Sequence, residues 1–419
     1  MASASIASIS SALKRFYIGQ IVEQINQECL LLDNFEEETV VWAGSKAIVP
    51  LHTARNESVG AASEGATLPA PGQQTYEDIQ ITSSYVYGQF SFTGPARAAA
   101  AKSSGAFENM MGLQMKPLVD DVKHYSDICM FTGGPVIGYV WQSQAAGTTW
   151  QSSVRTAYPS ADPTKNPIGQ LVQFYRCDTF APIGSPATLS AISPSGTRLT
   201  TGAINTSTIT AGVLMVVVSA APGLLNEPIG LAGNMFAPNW FNLTRGIAAT
   251  ANLNGNYVLA GGATAVEDDL TTNTVQNLSN EIQYKSGRMA DKIWLSPLQI
   301  TSYSSLLQGT ASGVATATAA RLDVKTGPAK GDIGFTGFDW AGVKFHQAQD
   351  CPLGVIYMLQ AKHWKLALLK AGEFDESTGS ILRAVPQTDT YAGLYSWYYQ
   401  TYTNRPNASG VIAGVTIPV

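Results

Sequence analysis

Charge is what this chain has least of. Asp, Glu, Lys and Arg together make up 13% of its 419 residues, against roughly 25% in ordinary soluble proteins. A monomer kept apart in water needs more surface charge than that. Two classes remain: a secreted, low-charge β-rich protein, or a subunit that buries much of its surface in an assembly. Basic runs are missing too. With a formal net charge of -5, tight, sequence-independent gripping of nucleic-acid phosphates is excluded.

Only four cysteines occur, Cys29, Cys129, Cys177 and Cys351, widely scattered and without a CxxC pair. They read as reduced, mostly buried thiols of a cytosolic setting, not as a disulfide or zinc framework. The longest apolar run, Gly212 to Ala221, is too short to span a bilayer and reads as a buried strand, so no membrane partner is expected. The N-terminus lacks the uninterrupted apolar core of a secretory signal, which weighs against the secreted class. Catalytic motifs are equally scarce. There is no G-x-S-x-G elbow and no H-E-x-x-H, and Gly-Lys never occurs, so there is no phosphate-cradling loop. Gly331, Gly334 and Gly337 have the wrong spacing for a dinucleotide and read as turn glycines. The four histidines, His52, His124, His346 and His363, are far apart. Asp120, Asp121 and His124 neighbour one another on a predicted helix and read as solvated surface, with no further ligand nearby. No catalytic, cofactor or metal site is expected.

What is present centres on Arg55 to Gly94. A first extended run, Val40 to Trp42 and Ile48 to Leu51, leads into a small-residue stretch holding Gly60, Gly65, Pro69, Pro71 and Gly72. A second run follows from Tyr76 to Phe92. Two extended arms flanking a Gly/Pro tip predict a long two-stranded hairpin. Such a hairpin is marginal alone, since two strands cannot bury both faces. Another copy of the chain is the expected support.

In chain order, residues 10 to 33 predict a helix, because Leu13, Tyr17, Ile21, Ile25 and Cys29 recur at four-residue steps. It is either a core helix or an arm docking on a neighbour. After the hairpin, Pro95 to Lys102 reads as an Ala-rich bridge. A helix from Ser104 to about Phe131 carries one apolar face through Phe107, Met111, Met115, Leu118, Val122, Tyr125 and Cys129. Pro117 predicts a bend near Leu113 to Lys116. From Gly133 to Pro228, Gly, Pro, Ser and Thr punctuate short apolar segments, which predicts an all-β unit, a small barrel or a sandwich. The remainder is mixed. A helix is predicted over Ala263 to Ser286, with Glu267, Asp268 and Asp269 in its first turn. A strand over Asp291 to Leu295 precedes a helix capped by Ser296-Pro297 and running through Tyr303 to Leu307. Ala311 to Arg321 reads as a loop. Strands are expected over Gly331 to Phe345, Gly354 to Leu359, His363 to Leu369 and Tyr391 to Tyr402. The chain length calls for several lobes, placed at 1–40 (N-terminal arm), 41–94 (extended loop and flanking strands), 95–134 (long helix), 135–228 (β-rich insertion), 229–340 and 341–419.

The order of these elements resembles the major capsid proteins of tailed bacteriophages, the Hong Kong 97-type fold. Ile81 to Phe92, feeding through the Ala-rich stretch into the Phe107 to Phe131 helix, looks like that family's extended loop and spine helix. Asp291 to Leu307 and Phe338 to Tyr357 look like segments of its axial domain. Tyr395 to Gly410, with Arg405-Pro406-Asn407-Ala408, resembles its closing strand. The likeness spans nearly the whole chain except Gly133 to Pro228. It implies an α+β fold with peripheral and axial domains, 229–340 being mainly axial and 341–419 the peripheral return.

The resemblance further implies a virion protein assembled in the host cytoplasm. Copies would form hexamers and pentamers of an icosahedral shell around double-stranded DNA, which the protein only adjoins. A separate scaffolding protein, a portal and a decoration or cement protein are the implied partners. The separate scaffold follows because the loop arrives by residue 56 of a chain starting at Met1. The alternatives are an encapsulin-type cellular compartment and a secreted β-rich adhesin or hydrolase. The expected inter-subunit contacts of the extended loop are Glu57, Glu64, Glu77, Asp78, Tyr85 and Phe90, with basic partners from another chain. Some relatives weld their shells through a loop lysine, but no Lys or Arg lies between Glu57 and Gly94. Heated in SDS, the assembled protein should therefore release monomers near 44.4 kDa; a covalent ladder on the gel would contradict this.

Overall fold

The computed structural model describes residues 31, 35–38, 42–56, 58–64, 66–101, 104–144, 149–155, 168–195, 197–201, 214–220, 225–261, 267–300, 302, 339–376 and 380–416. The predicted helix over 10–33, the helical stretch 303–307, the loop 311–321 and the glycines of 331–337 lie outside these residues.

After β1 (Glu36–Glu38) and β2 (Trp42–Ala43), β3 (Lys46–Ala54) pairs antiparallel with β4 (Thr75–Thr82), from Lys46 opposite Thr82 to Ala54 opposite Thr75. These two strands are the arms of the expected hairpin. The extended run does not continue in it. β5 (Ser84–Thr93) turns away to pair with a late strand of the body. The signal is in the alternation. Buried positions are Ile79 and Ile81 before the break, then Ser84, Val86, Phe90 and Phe92 after it. A single strand cannot change the parity of its inward face, so the run divides at Ser83.

The Ala-rich bridge is itself a helix, α1 (Gly94–Ala101). Alanine is the best helix former, and Pro95 sits in the first turn, where its missing N–H costs nothing. The long helix, α2 (Ser104–Thr132), continues through Pro117 and spans about 44 Å at 1.5 Å per residue. Its buried face runs through Val122 and Cys129, with Leu118 and Tyr125 partly buried against the same core. Where it crosses β5 the backbones are close. A Cβ on Gly88 would come within 2.8 Å of Val122 Cγ2, so only glycine fits.

Beyond α2 the strands β6 (Val136–Gln144), β7 (Thr149–Val154), β8 (Leu171–Arg176), β9 (Pro182–Ile192), β10 (Arg198–Thr201) and β11 (Leu214–Ala220) close into a barrel of order β10-β7-β6-β11-β8-β9. Of the two expected β architectures the chain adopts the barrel. Trp150 packs edge-on to Phe174 at 4.9 Å inside it, among Ile137, Val140, Val172, Leu189 and Leu199. Closure leaves no free strand edge. The chain leaves the body and returns to it at one point, where the Gly230 N–H donates to the Gly133 carbonyl at 3.0 Å. A Cβ on Gly133 would lie 2.4 Å from two carbonyl oxygens.

A buried ion pair sits at this crossing. Arg155, next after β7, meets Glu227 of the returning segment at 2.6 Å, with side chains 2% and 3% exposed. Tyr125 of α2 donates to the same carboxylate at 2.6 Å, and Ser84 of β5 donates to the Glu227 carbonyl at 3.2 Å.

The returning chain forms α3 (Leu231–Phe236), the short hairpin β12 (Asn239–Trp240) and β13 (Leu243–Thr244), and β14 (Asn256–Leu259). The helix predicted over 263–286 is shorter: α4 spans Thr272–Ser286. Thr271 is its N-cap, accepting from the Thr274 N–H at 3.1 Å. Asp268, expected in the first turn, instead bridges to Val415 as strand backbone. Then come β15 (Lys292–Leu295), β16 (Asp339–Trp340), β17 (Val343–Gln347), β18 (Val355–Leu359), β19 (Trp364–Phe374), β20 (Arg383–Ala384), β21 (Thr390–Thr403) and β22 (Gly410–Ala413). Ser296-Pro297 opens with a 3-10 turn, Pro297–Gln299, that runs into helix at Ile300 and Ser302, and Ser296 makes no side-chain cap.

Two sheets organise the body. One has order β14-β22-β18-β15-β17-β16 and packs on α4 through Val275, Leu278 and Ile282. The other is built on β21, with β5 along one edge and β19 and β20 on the opposite edge; β1 runs parallel to β19. The architecture is mixed α+β. Cys129, Cys177 and Cys351 are buried free thiols, as expected; Cys29 lies outside the described residues.

Removing one partner of a buried pair strands the other charge, at a cost of about 3–5 kcal/mol. Arg155→Met should lower the urea midpoint of the unassembled subunit by that equivalent. The double variant Arg155→Met/Glu227→Met should recover most of it.

Candidate assembly interface

The hairpin has a docked root and a bare tip. At the root, Ala47, Leu51, Ile79 and Ile81 bury against Trp240, Leu243, Leu253, Ala367 and Tyr402. Trp240 is held from behind by Arg245, whose guanidinium lies 4.8 Å over its ring, and by Asn234 Oδ1, which accepts from Nε1 at 3.0 Å. Burial depresses Arg245 to about 9. Polar clips complete the seat. Asn242, in the β12–β13 turn, accepts from the Gln80 N–H at 2.7 Å and donates to the Asp78 carbonyl at 2.9 Å, as a neighbouring strand would. Asn252 donates to the Thr53 carbonyl at 3.0 Å. Sequence reasoning did not single out these asparagines, because a side-chain amide standing in for a strand leaves no periodic signal.

Beyond the root, every described residue from Val59 to Tyr76 is exposed. The tip keeps its shape locally. Asn56 Nδ2 donates to the Gly72 carbonyl at 3.1 Å, its Oδ1 accepts from the Ser58 N–H at 2.8 Å, and the Ala66 N–H donates to the Ser63 carbonyl at 3.0 Å. Val59 and Leu68 stand 86% and 78% in solvent. Apolar side chains on an arm too thin to bury them mark a contact surface.

The six expected contact residues fare differently. Glu64 is exposed on the Ser63–Ala66 turn, and Glu77 and Asp78 are half-buried on β4. Among the described residues Glu64 and Glu77 have no ion-pair partner, while Asp78 accepts from Gln80 Nε2 at 3.4 Å. Tyr85 is 54% exposed but lies on β5, away from the hairpin, edge-on to Tyr398 at 5.0 Å. Phe90 does not belong in the set. It is 7% exposed and packs on Phe92 and Phe374 of its own subunit, because β5 joins the body sheet. Glu57 lies outside the described residues.

The histidines are all engaged separately. His52 bonds Gln74 at 2.5 Å, His346 stacks on Trp294 at 4.8 Å and His363 bonds Asn404 at 2.8 Å. His124, read from sequence as solvated, instead reaches Asp350 at 3.2 Å, tying α2 to the loop before β18. That hydrogen bond raises its pKa despite burial. Among the described residues no three His, Cys, Asp or Glu side chains are grouped to hold a metal ion, and no helix is long and apolar enough to cross a membrane.

No family model and no curated protein matches the chain. Among solved structures, a chain of the cyanophage A-1(L) capsid asymmetric unit aligns over 99% of this chain and 100% of its own, at 12% identity and a TM-score of 0.55. The fold is that of a phage capsid subunit. The capsid of a native GTA particle aligns at 10% identity over 99% of both chains with a TM-score of 0.49. The holo-SrpI encapsulin complex from Synechococcus elongatus does so at 10% identity over 100% and 98%, with a TM-score of 0.47. Neither adds to that conclusion. At 12% identity the likeness concerns the capsid fold alone, and the contact residues rest on the geometry above.

Asn242→Ala removes two hydrogen bonds from the hairpin root, each worth about 0.5–1.5 kcal/mol net. Hydrogen exchange at the Gln80 amide should quicken by about tenfold while the global unfolding midpoint of the unassembled subunit barely moves.

Proposed function

We propose that this chain is the major capsid protein of a tailed double-stranded DNA bacteriophage. Copies assemble as hexamers and pentamers into an icosahedral shell that encloses the genome, without a covalent weld through the hairpin. The observation that carries the reading is the end-to-end sharing of fold with the cyanophage capsid chain. The bare hairpin tip and the 13% charge content support it, since both are liabilities in a monomer and ordinary in a subunit. In this reading β3 and β4 are the extended loop, α2 is the spine helix, the barrel is an insertion, and the role is structural, not enzymatic. The modest negative charge lets packaged DNA lie against the shell without being clamped to it. Assembly takes place in the host cytoplasm with a separate scaffolding protein and a portal, and a decoration protein can follow.

Expression with the neighbouring genes, followed by negative-stain microscopy and nuclease protection, tests this. Closed icosahedral particles or hexameric tiles, with nuclease-protected DNA in complete particles, are expected. Monomers under all conditions would overturn a shell role. Closed particles holding a protein cargo and no DNA would replace the phage reading with a cellular compartment.

A further inference from the structure

Where the hairpin leaves the body, a cavity of about 380 Å³ opens. It lies between the end of β3, the 3-10 turn Ala248–Leu253, the last turn of α4 and the turn after β21. Arg55, Lys285 and Arg405 line it with His52, Asn404 and Asn407, and among the described residues no Asp or Glu does. Lys and Arg supply 3 of its 11 lining residues, against 25 of 419 in a chain whose net charge is -5. The cavity is therefore a local reversal of the chain's sign, assembled from segments far apart in sequence.

We infer that this cavity is a binding site for a phosphate group. Its donors select the ligand. Asn404 gives its Oδ1 to His363 at 2.8 Å and Asn407 has its Oδ1 buried, so in both the Nδ2 amide is the group left for an occupant. Arg55 and Arg405 have no carboxylate partner among the described residues. Lys285 pairs with Glu281 at 2.8 Å, but that pair is solvent-exposed and weak. Standing on the last turn of α4, Lys285 also offsets the negative end of that helix. Two guanidiniums, an ammonium and two amides outnumber the two oxygens of a carboxylate. A phosphate presents more oxygens and a second charge, and the guanidinium fork matches its geometry. His52 is the sole ring among the described lining residues and is held by Gln74 at 2.5 Å, so there is no platform on which a base would stack. Recognition stops at the phosphate, whether it comes from a nucleic-acid backbone or is free in solution. One such site is a point contact and not the basic track that tight gripping of nucleic acid requires, so it agrees with the chain's overall charge. The inference stands independently of the shell reading.

The test titrates inorganic phosphate into the full-length chain by calorimetry at constant ionic strength. Saturable binding at a single site per chain is expected. Arg55→Gln/Arg405→Gln should weaken it by about tenfold or more, as the loss of two charge-assisted hydrogen bonds requires. Lys116→Gln/Lys344→Gln removes the same charge from exposed positions elsewhere and should leave binding unchanged. If Arg405→Gln does not fold, as judged by its melting curve, Arg55→Gln/Lys285→Gln takes its place, since both side chains are exposed. A short DNA duplex that binds, is displaced by inorganic phosphate and is weakened by the same substitutions makes the source a backbone phosphodiester. A duplex that does not bind where inorganic phosphate does makes the source free phosphate; both outcomes uphold the site. Absence of phosphate binding by the parent chain would overturn the inference, as would equal losses in the two charge-matched variants. Displacement of phosphate by glutarate at equal or lower concentration would also overturn it, making the cavity a carboxylate seat.

Discussion

Burying a guanidinium and a carboxylate together commits every element that touches them. Arg155 belongs to the barrel, Glu227 to the chain returning from it, Tyr125 to the long helix and Ser84 to the first strand of the body sheet. None of these groups can move independently, since a stranded charge in a dry site costs far more than a lost surface contact. The helix is thereby fixed against β5, where Gly88 allows close approach. β5 in turn carries β21, and β21 carries the rest of its sheet. The hairpin root stands on the same frame, through Ala367 of β19 and Tyr402 of β21.

Much of this was legible in the sequence where periodicity was long and uninterrupted. The stripe from Leu118 to Cys129 marked α2, and the aromatic run marked β21 within a residue at either end. The barrel was legible as a class, through punctuation by Gly, Pro, Ser and Thr, but not as a closed topology, which depends on long-range pairing. Errors fell where local cues competed. Asp268 looked like a helix-dipole residue, yet Thr271 caps better and the strand end claimed the Asp268 backbone. The division at Ser83 was visible only as a change of parity, easily overlooked in a run where every residue favours extended backbone. Phe90 falls among the expected loop contacts only while the run is read as one strand; past the division it turns into the body sheet. The asparagine clips join residues more than a hundred positions apart, as Asn242 to Gln80 and Asn252 to Thr53 do. No spacing rule reports such pairs.

The distribution of charge explains why the motifs were silent. Among the described residues the histidines are spent singly on structural partners, His124 on Asp350 and His363 on Asn404, and no three His, Cys, Asp or Glu side chains gather. Among the described residues Glu64 and Glu77 of the hairpin keep no ion-pair partner.

The barrel is joined to the body at Gly133 and Gly230, whose backbones are one hydrogen bond apart. In topological terms everything between them is a side loop. A chain with a short turn there, or a different domain of similar footprint, could thread the remaining body without altering the order of its sheets. Energetically the barrel is not so detachable, because Arg155 and Glu227 leave with it while Tyr125, which donates to that carboxylate, stays behind. A lineage exchanging this module would have to give the Tyr125 hydroxyl a new partner or replace it in the same step, so the identity at position 125 should travel with the module and not with the body that hosts it.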